Sequence, residues 1–319
     1  MTLLLLDSNV RPSIRVPKVA PNCLSPNASS YLQYGTLVQR RTLAPIGADI
    51  CRISHRKRGN GMDYRNKFVA EPGAKVKLSK VDPSFTGKHE SHDKATPEIE
   101  ENVERMAKLQ YLLYADGSQS LLVVLQALDA GGKDGTIRHV FSGMNPQGTF
   151  VHAFKQPSRE EAAHDFLWRA HLHAPAKGQV VVFNRSHYED VLVVRIHKLV
   201  PHSVWSKRYD LIDDFETMLA RNGTTVVKFF LHISPQEQLA RFKQRLDDPS
   251  RRWKISETDY SERELWPQYI DAYEDAIAAT STNSGVRCPK KARQYSSTTT
   301  RPHSTRRITR RPTRRTASS

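Results

Sequence analysis

The chain of 319 residues predicts an α/β fold, a parallel sheet with helices on both faces. Apolar runs of strand length recur at 121–125, 179–183 and 225–233, as in the buried strands of parallel sheets. Segments with the amphipathic period of a helix lie between and after these runs. Because strands and helices alternate along the chain, consecutive βαβ units are the expected architecture.

The first half of the fold follows from local signals. A helix is predicted over 98–114, where Pro97 precedes an apolar stripe that includes Val103 and Met106. The run 121–125 is a strand, and the glycine-rich turn after it leads into a helix near 136–142. A short strand is expected at 151–154, followed by a helix over 160–171.

The second half repeats this alternation. The run 179–183 predicts a buried strand, whereas the period of 191–194 does not separate helix from strand. A helix is predicted over 209–220 and a strand over 225–233. Two more helices are then expected, over 235–246 and over 260–279.

Composition excludes several classes of protein. Apolar residues make up 38% of the chain. No apolar run approaches the roughly 20 residues that span a bilayer, so we expect no membrane partner. The cysteines Cys23, Cys51 and Cys288 lie too far apart for a disulfide scaffold or a cysteine-rich zinc site. The apolar run at 3–6 is too short for the core of a signal peptide, so we expect a cytoplasmic protein.

The net charge of +16 belongs to the two ends of the chain. Residues 1–61 hold nine Lys/Arg and two acidic residues, and residues 283–319 hold eleven Lys/Arg and no acidic residue. The central segment 62–282 has a formal charge of −2. We expect the two ends to be disordered and 62–282 to be the folded domain, to which the motifs below assign the catalytic role. Polyanion binding through the basic ends remains an alternative, although a nucleic-acid partner is not the expected one.

The glycine-rich turn has the context of a phosphate-binding loop. In LLVVLQALDAGGKDGTI (121–137), a buried strand runs through the turn into a helix, so backbone amides can converge on phosphate oxygens. Ala127 stands where the usual pattern has its first glycine, and Asp134 replaces the Ser/Thr that would hold magnesium. Asp129 is the candidate metal ligand instead. The candidate phosphate-binding residues of the turn are Gly131, Gly132, Lys133, Asp134, Gly135 and Thr136.

Other candidate phosphate contacts lie outside the loop. Asn184 and Arg185 follow a buried strand, and ligands of open α/β sheets bind at the carboxyl ends of strands. Arg241 and Arg245 share a helix face in a basic helix-loop segment that also contains Lys254. Such a segment can form a lid over phosphates, although taken alone a charge run is more often a solvated face.

Together these motifs resemble the polyphosphate kinase 2 family, and most closely its branch that phosphorylates AMP and ADP. The resemblance covers about 64–282. It is carried by KVDPSFTGKHESHDKA (80–95), the loop at 126–137, MNPQG (144–148), FKQPS (154–158), HDFLWR (164–169), FNRSHYEDVLVVR (183–195) and DDPSRRWKIS (247–256).

The resemblance implies a fold similar to thymidylate kinase, with a mobile lid at about 241–258. It implies phosphoryl transfer between inorganic polyphosphate and an adenine or guanine nucleotide, with Mg²⁺ or Mn²⁺ as the cofactor, in a homo-oligomer. Asp129, Lys133, Asn184 and Arg185 match its catalytic positions, with Asp129 as the metal ligand. The implied contacts to polyphosphate or nucleotide phosphates include Lys155, Arg241, Arg245 and Lys254.

Three alternatives remain open. One is an ATP-dependent nucleotide kinase of the thymidylate kinase type, which would use ATP rather than polyphosphate as donor. Another is a family member without activity, because the sequence departs from the family pattern after Thr282. The third is the polyanion-binding protein, whose binding would weaken steeply with salt.

Overall fold

The computed structural model describes residues 2–5 and 68–281 of the chain. Five strands form one sheet within these residues: β1 (Thr2–Leu5), β2 (Ser120–Gln126), β3 (Thr149–Ala153), β4 (Val180–Asn184) and β5 (Thr224–His232). They lie in the order β1-β5-β2-β4-β3. The strands β5, β2, β4 and β3 are parallel, and β1 joins β5 antiparallel. The predicted parallel sheet is confirmed.

Helices follow most of the strands. They are α1 (His92–Asp116), α2 (Lys133–Val140), α3 (Arg159–Ala163), α4 (Trp168–Leu172), α5 (Glu189–Ile196), α6 (His202–Trp205), α7 (Arg208–Arg221), α8 (Pro235–Asp247), α9 (Glu257–Glu262) and α10 (Trp266–Thr280). The segment 191–194, which periodicity left open, is thus helical. None of the described helices is long and apolar enough to cross a membrane.

Helices cover both faces of the sheet. Alternate side chains of a strand point in opposite directions, so each face contributes to its own apolar cluster. On β2, Leu122 and Val124 belong to the larger apolar cluster, with residues of α5, α7 and α10. Val123 and Leu125 belong to a second cluster, which Met106 of α1 and neighbours of α2 complete. All four β2 side chains are almost fully buried, which explains their continuous apolar run.

Two helices that the sequence predicts as continuous are each broken. The helix predicted over 160–171 is divided into α3 and α4. The side chain of Asp165 accepts a hydrogen bond from the Leu167 amide ahead of α4. The helix predicted over 260–279 is divided by a 3₁₀ turn at Arg263–Leu265. Pro267, which has no N–H, lies in the first turn of α10 and favours a helix start there.

The helix predicted over 98–114 is longer than expected. It begins at His92, where the side chain of Ser91 accepts from the Lys94 amide, so Pro97 lies inside the helix rather than at its start. The helix after the loop likewise begins at Lys133 rather than at Thr136.

The basic ends of the chain lie largely outside the described residues. Within the segment 1–61, for which disorder is expected, Thr2–Leu5 instead form the edge strand β1, with Thr2 opposite His232. The rest of that segment and the tail 283–319 are not among the described residues.

Candidate active site

The loop between β2 and α2 has a tightly constrained backbone. Ala130 has φ of +56° and Gly132 has φ of +99°, both in the left-handed region that favours glycine. Gly131 has no room for a side chain, because a Cβ there would lie 2.5 Å from the Cβ of Ala127 and 2.7 Å from the Leu128 carbonyl oxygen. The turn closes through the Gly131 amide, which donates to that carbonyl at 2.9 Å.

Lys133, the first residue of α2, folds back under this loop. Its Nζ donates to the carbonyl oxygens of Ala127 at 2.7 Å and of Leu128 at 3.3 Å. Burial lowers the pKa of the Lys133 ammonium to about 8, and the positive charge of Arg185 lowers it as well. The ammonium is therefore a positive charge held in place by backbone beneath the loop.

Asp134 joins three parts of the site. Its Oδ1 accepts from Asn184 at the end of β4 at 2.9 Å, and its Oδ2 accepts from the Nζ of Lys254 at 3.0 Å. Burial raises the pKa of the Asp134 carboxyl, but the hydrogen bonds from Asn184 and Lys254 outweigh it and hold that pKa below its usual range. The carboxylate is thus anionic at neutral pH and ties the basic segment to the loop.

Asp129 faces Arg185 across the end of the sheet. Arg185 follows β4 with φ of +63°, and its Nη2 donates to Asp129 Oδ1 at 2.7 Å. Its Nη1 lies 3.7 Å from Glu189, the first residue of α5. The carboxylate of Asp129 is about one third exposed, so it is oriented by the guanidinium while still open to a ligand.

The basic segment contributes from α8 and the turns after it. Arg241 and Arg245 share a face of α8, as predicted. Arg241 donates to the Ala130 carbonyl at 2.8 Å and Arg245 to the Lys254 carbonyl at 3.2 Å. Arg252, two residues before Lys254, instead donates to the Leu246 carbonyl of α8.

Most of these groups line one cleft of about 1160 Å³ at the carboxyl ends of the strands. Its walls carry eight Lys/Arg side chains and three Asp side chains. Twelve of the thirteen predicted site residues lie there: Asp129, Gly131, Gly132, Lys133, Asp134, Gly135, Lys155, Asn184, Arg185, Arg241, Arg245 and Lys254.

Thr136 is the predicted residue that does not line the cleft. It is the fourth residue of α2, beyond the open N-terminal turn, and its Oγ1 is buried without a partner among the described residues. Lys155 does reach the cleft, after β3. Its backbone is held by the buried Arg169, which donates to the Lys155 carbonyl at 2.8 Å and also to Asp190.

Several cleft residues were not among the predicted site residues. Arg138, one helical turn after Asp134 on α2, and Gln156, next to Lys155, line the cleft. Arg251 and Trp253 do as well, although the basic segment that contains them was recognised. No motif distinguishes Arg251 from Arg252 in the sequence; only the turn decides which of them faces the cleft.

The residues fit a magnesium ion shared with a ligand. Among the described residues there is no cluster of three or more His, Cys, Asp or Glu side chains able to hold a metal. Mg²⁺ is commonly held by one or two carboxylates together with substrate phosphates and water. The part-exposed carboxylate of Asp129, in a cleft lined by cations, is a donor of this kind.

A parallel sheet, a glycine-containing loop leading into a helix and a cation-lined cleft define a P-loop kinase-like phosphate-binding fold. The family model "Polyphosphate kinase 2 (PPK2)" matches residues 89–290. The chain therefore belongs to the polyphosphate kinase 2 family.

Relatives with assigned names agree with this family. An AMP/ADP-polyphosphate phosphotransferase of Meiothermus ruber is 52% identical over 217 residues, 68% of this chain and 81% of that protein. An ADP-polyphosphate phosphotransferase of Rhodopseudomonas palustris is 46% identical over 232 residues, 68% of this chain and 79% of that protein. The crystal structure of polyphosphate kinase 2 from Arthrobacter aurescens TC1 matches with a TM-score of 0.63 and 42% identity, over 67% of this chain and 77% of that one.

Proposed function

We propose that the chain transfers phosphoryl groups between inorganic polyphosphate and adenine nucleotides, converting AMP or ADP into ADP or ATP in a reversible, Mg²⁺-dependent reaction. The names of its relatives support this reaction. The observation that carries it is the cleft at the strand ends, where eight cationic side chains face three carboxylates. A polyanionic donor and a nucleotide phosphate both match this surface.

The reaction needs no nucleophilic side chain. A terminal phosphate oxygen of the nucleotide attacks the terminal phosphorus of polyphosphate, and the bridging P–O bond breaks. The polyphosphate leaves one phosphate shorter. Because the transferred group passes through a loose transition state, alignment and positive charge supply most of the catalysis.

Five of the cationic side chains, together with Asn184, have roles in this alignment. The buried ammonium of Lys133 sets a positive charge beneath the loop, where charge builds up on the transferred phosphoryl group. Arg185 orients the Asp129 carboxylate and presents its remaining N–H groups to phosphate oxygens. Asn184 holds Asp134 in place. Lys155, Arg241 and Arg245 contact the phosphates farther along the cleft.

The basic segment 241–258 acts as the lid. Lys254 bonds Asp134, and the Arg245 guanidinium bonds the Lys254 carbonyl. This arrangement brings the lid over the loop and limits the access of water to the transferred group.

Asp129 would hold Mg²⁺, or Mn²⁺ in its place. A bound Mg²⁺ neutralises phosphate charge and draws electron density from the transferred group.

The test is to incubate the purified protein with Mg²⁺, long-chain polyphosphate and AMP or ADP, and to measure ADP and ATP. The Asp129→Asn variant keeps the side-chain shape and removes the carboxylate charge, so its rate should fall about 100-fold or more. Circular dichroism of the variant checks that it is folded.

No product from folded wild-type protein would overturn the proposed reaction. The same assay with ATP as donor and no polyphosphate then tests the nucleotide kinase alternative. Undiminished activity in Asp129→Asn would leave the reaction standing and remove the role given to this carboxylate.

Three finer statements belong to the same proposal. Guanine nucleotides are the alternative acceptors to adenine nucleotides, which GMP and GDP in the same assay would test. We expect a homo-oligomer, measurable by light scattering after size-exclusion chromatography. We also expect a cytoplasmic location, which cell fractionation would test.

A further inference from the structure

A buried amide on α8 connects the phosphate loop with the base of the lid, where the chain enters and leaves the segment 241–258. Gln238 is 4% exposed, and its side chain uses both of its polar ends. The Nε2 donates to the carbonyl oxygen of Asp129 at 2.9 Å. The Oε1 accepts from the Nη1 of Arg263 at 3.0 Å. Removing a hydrogen-bond partner from a buried amide destabilises the fold. These two hydrogen bonds therefore resist movement of either partner.

The contact with the loop falls at its most strained point. Ala130, directly after Asp129, has φ of +56°, which costs a residue with a Cβ more than it costs glycine. Its carbonyl accepts from Arg241, one helical turn beyond Gln238 on α8. Two consecutive carbonyls of the loop are therefore held by two neighbouring side chains of one helix. This pair of hydrogen bonds opposes relaxation of the strained turn.

The hydrogen bond to the Asp129 carbonyl also orients the Asp129–Ala130 peptide and the Asp129 side chain. A trans peptide directs its N–H opposite to its C=O, so the bond from Gln238 turns the amide of Ala130 away from α8. The same bond restrains the backbone from which the Asp129 carboxylate extends towards Arg185. Rotation of this peptide would displace the carboxylate from the guanidinium.

The other end of the amide lies at the base of the lid. Arg263 opens the 3₁₀ turn that joins α9 to α10, on the far side of the lid segment 241–258. Besides Gln238, its Nη1 donates to the Pro235 carbonyl, at the start of α8, at 3.1 Å. Arg263 thus pins the chain leaving the lid to the helix that enters it. Gln238 extends this connection to the loop.

We propose that Gln238 is a positioning residue, which holds the Asp129–Ala130 peptide for phosphoryl transfer and couples the loop to the base of the lid. The inference rests on the proposed reaction. Gln238 acts through Asp129 and is not itself in contact with the transferred group.

The decisive variants separate the two ends of the amide. Gln238→Met keeps the length of the side chain and removes both hydrogen bonds. Gln238→Glu keeps an acceptor for Arg263 but loses the donor to the loop carbonyl. Gln236→Met, on an exposed position of the same helix, is the matched control.

We expect Gln238→Met and Gln238→Glu to lower kcat about 10- to 100-fold, since misplacement by about 1 Å can cost this much. The nucleotide KM should change less than about twofold, whereas the Mg²⁺ concentration for half-maximal rate should rise severalfold with the displaced carboxylate. Gln236→Met should match the wild type. A Gln238→Met enzyme with the wild-type kcat and Mg²⁺ requirement would overturn the inference, even if its melting temperature were lower.

Hydrogen exchange tests the inference independently of activity. A peptide covering 127–140 should exchange faster in Gln238→Met than in the wild type. In Gln236→Met its exchange rate should equal that of the wild type. Equal protection in all three proteins would also overturn the inference. If wild type shows no phosphoryl transfer but this difference in exchange is present, the proposed reaction fails while the loop-positioning role stands.

Discussion

At the scale of single residues, the loop accommodates one methyl group where two would collide. Ala127 carries a Cβ, and a second one on Gly131 would lie 2.5 Å from it. The Ala127 carbonyl also accepts a hydrogen bond from the Lys133 ammonium. A shift of Ala127 therefore moves the positive charge beneath the loop. Ala127, where a phosphate loop commonly has glycine, does not take a positive φ; Ala130 and Gly132 do. The strain of the loop thus lies after its first residue.

Gly131→Ala should lower the free energy of unfolding by about 1–3 kcal/mol, the usual cost of overpacking. Ala127→Gly in the same chain removes the nearer obstacle and should recover at least half of this loss, although the Leu128 carbonyl remains close. Urea denaturation of both single variants and the double variant measures the coupling. Strictly additive losses would show that the two residues do not share this space.

Lys133 makes anion binding depend on pH. Its pKa is lowered to about 8 by burial first and by the charge of Arg185 second. In the free protein, Lys133 therefore loses its proton and its positive charge as the pH rises through 8. Because polyphosphate binds best to the protonated form, its Kd should be nearly constant below pH 7 and rise towards tenfold per pH unit above 8.

Titration calorimetry with polyphosphate between pH 6.5 and about 9.5 measures this slope. Lys133→Arg is the comparison, because a guanidinium stays charged over the whole range. Its Kd should change little with pH. Equal slopes for the two proteins would assign the titration to another group.

At the scale of elements, the strands were predicted better than the helix boundaries. The apolar runs of β2, β4 and β5 are long enough to identify buried strands, and each prediction falls within two residues of the observed bounds at either end. The break between α3 and α4 had no such signal. It depends on Asp165 capping and on the long-range bonds of Arg169 to the chain at Lys155 and Asp190.

The same limit applies to the candidate site. Glycines, lysine and aspartate of the loop form a local pattern, so they could be identified from sequence. Gln238 and Arg263 had no local pattern, since their roles arise from contacts with a loop and a helix far away in the chain. Thr136 was assigned by proximity in sequence to the loop, but the turn of α2 carries it off the cleft.

At the scale of the whole molecule, the net positive charge lies in the two ends of the chain, but within the segment 62–282 an excess of basic side chains lies where the ligand is proposed to bind. The segment 62–282 has a formal charge of −2, yet the cleft has five more basic than acidic side chains. The remainder of that segment is therefore acidic on balance. Within this segment, a charge distribution of this form attracts anions towards the cleft rather than to the rest of its surface.

The core itself contains a charged group that joins distant elements. Lys228 of β5 lies 2.6 Å from Glu216 of α7, and both side chains are less than 5% exposed. The Lys228 ammonium also donates to the Thr280 carbonyl of α10 at 2.7 Å and to Tyr188 at 3.2 Å. Burial opposes the charge, but Glu216 and Tyr188 outweigh it and raise the pKa of Lys228.

Lys228→Met should lower the free energy of unfolding by about 3–5 kcal/mol, because it leaves the Glu216 carboxylate buried without its cation. Lys228→Met with Glu216→Leu should regain much of this loss, since an apolar pair can replace a buried ion pair. Urea denaturation measures both variants, with Lys243→Met at an exposed position of α8 as the control. A loss below about 1 kcal/mol in the single variant would contradict the expectation.

The hydrogen bond between Lys228 and Thr280 can form only late in the synthesis of the chain. The two residues are 52 positions apart, and at about 5–20 residues per second a ribosome needs roughly 3 to 10 s to add the intervening chain. For that time β5 exists without α10, whose Tyr273, Ala276 and Ile277 fill the same core cluster. The phosphate loop is therefore made early but lacks a finished core beneath it until α10 has been synthesised.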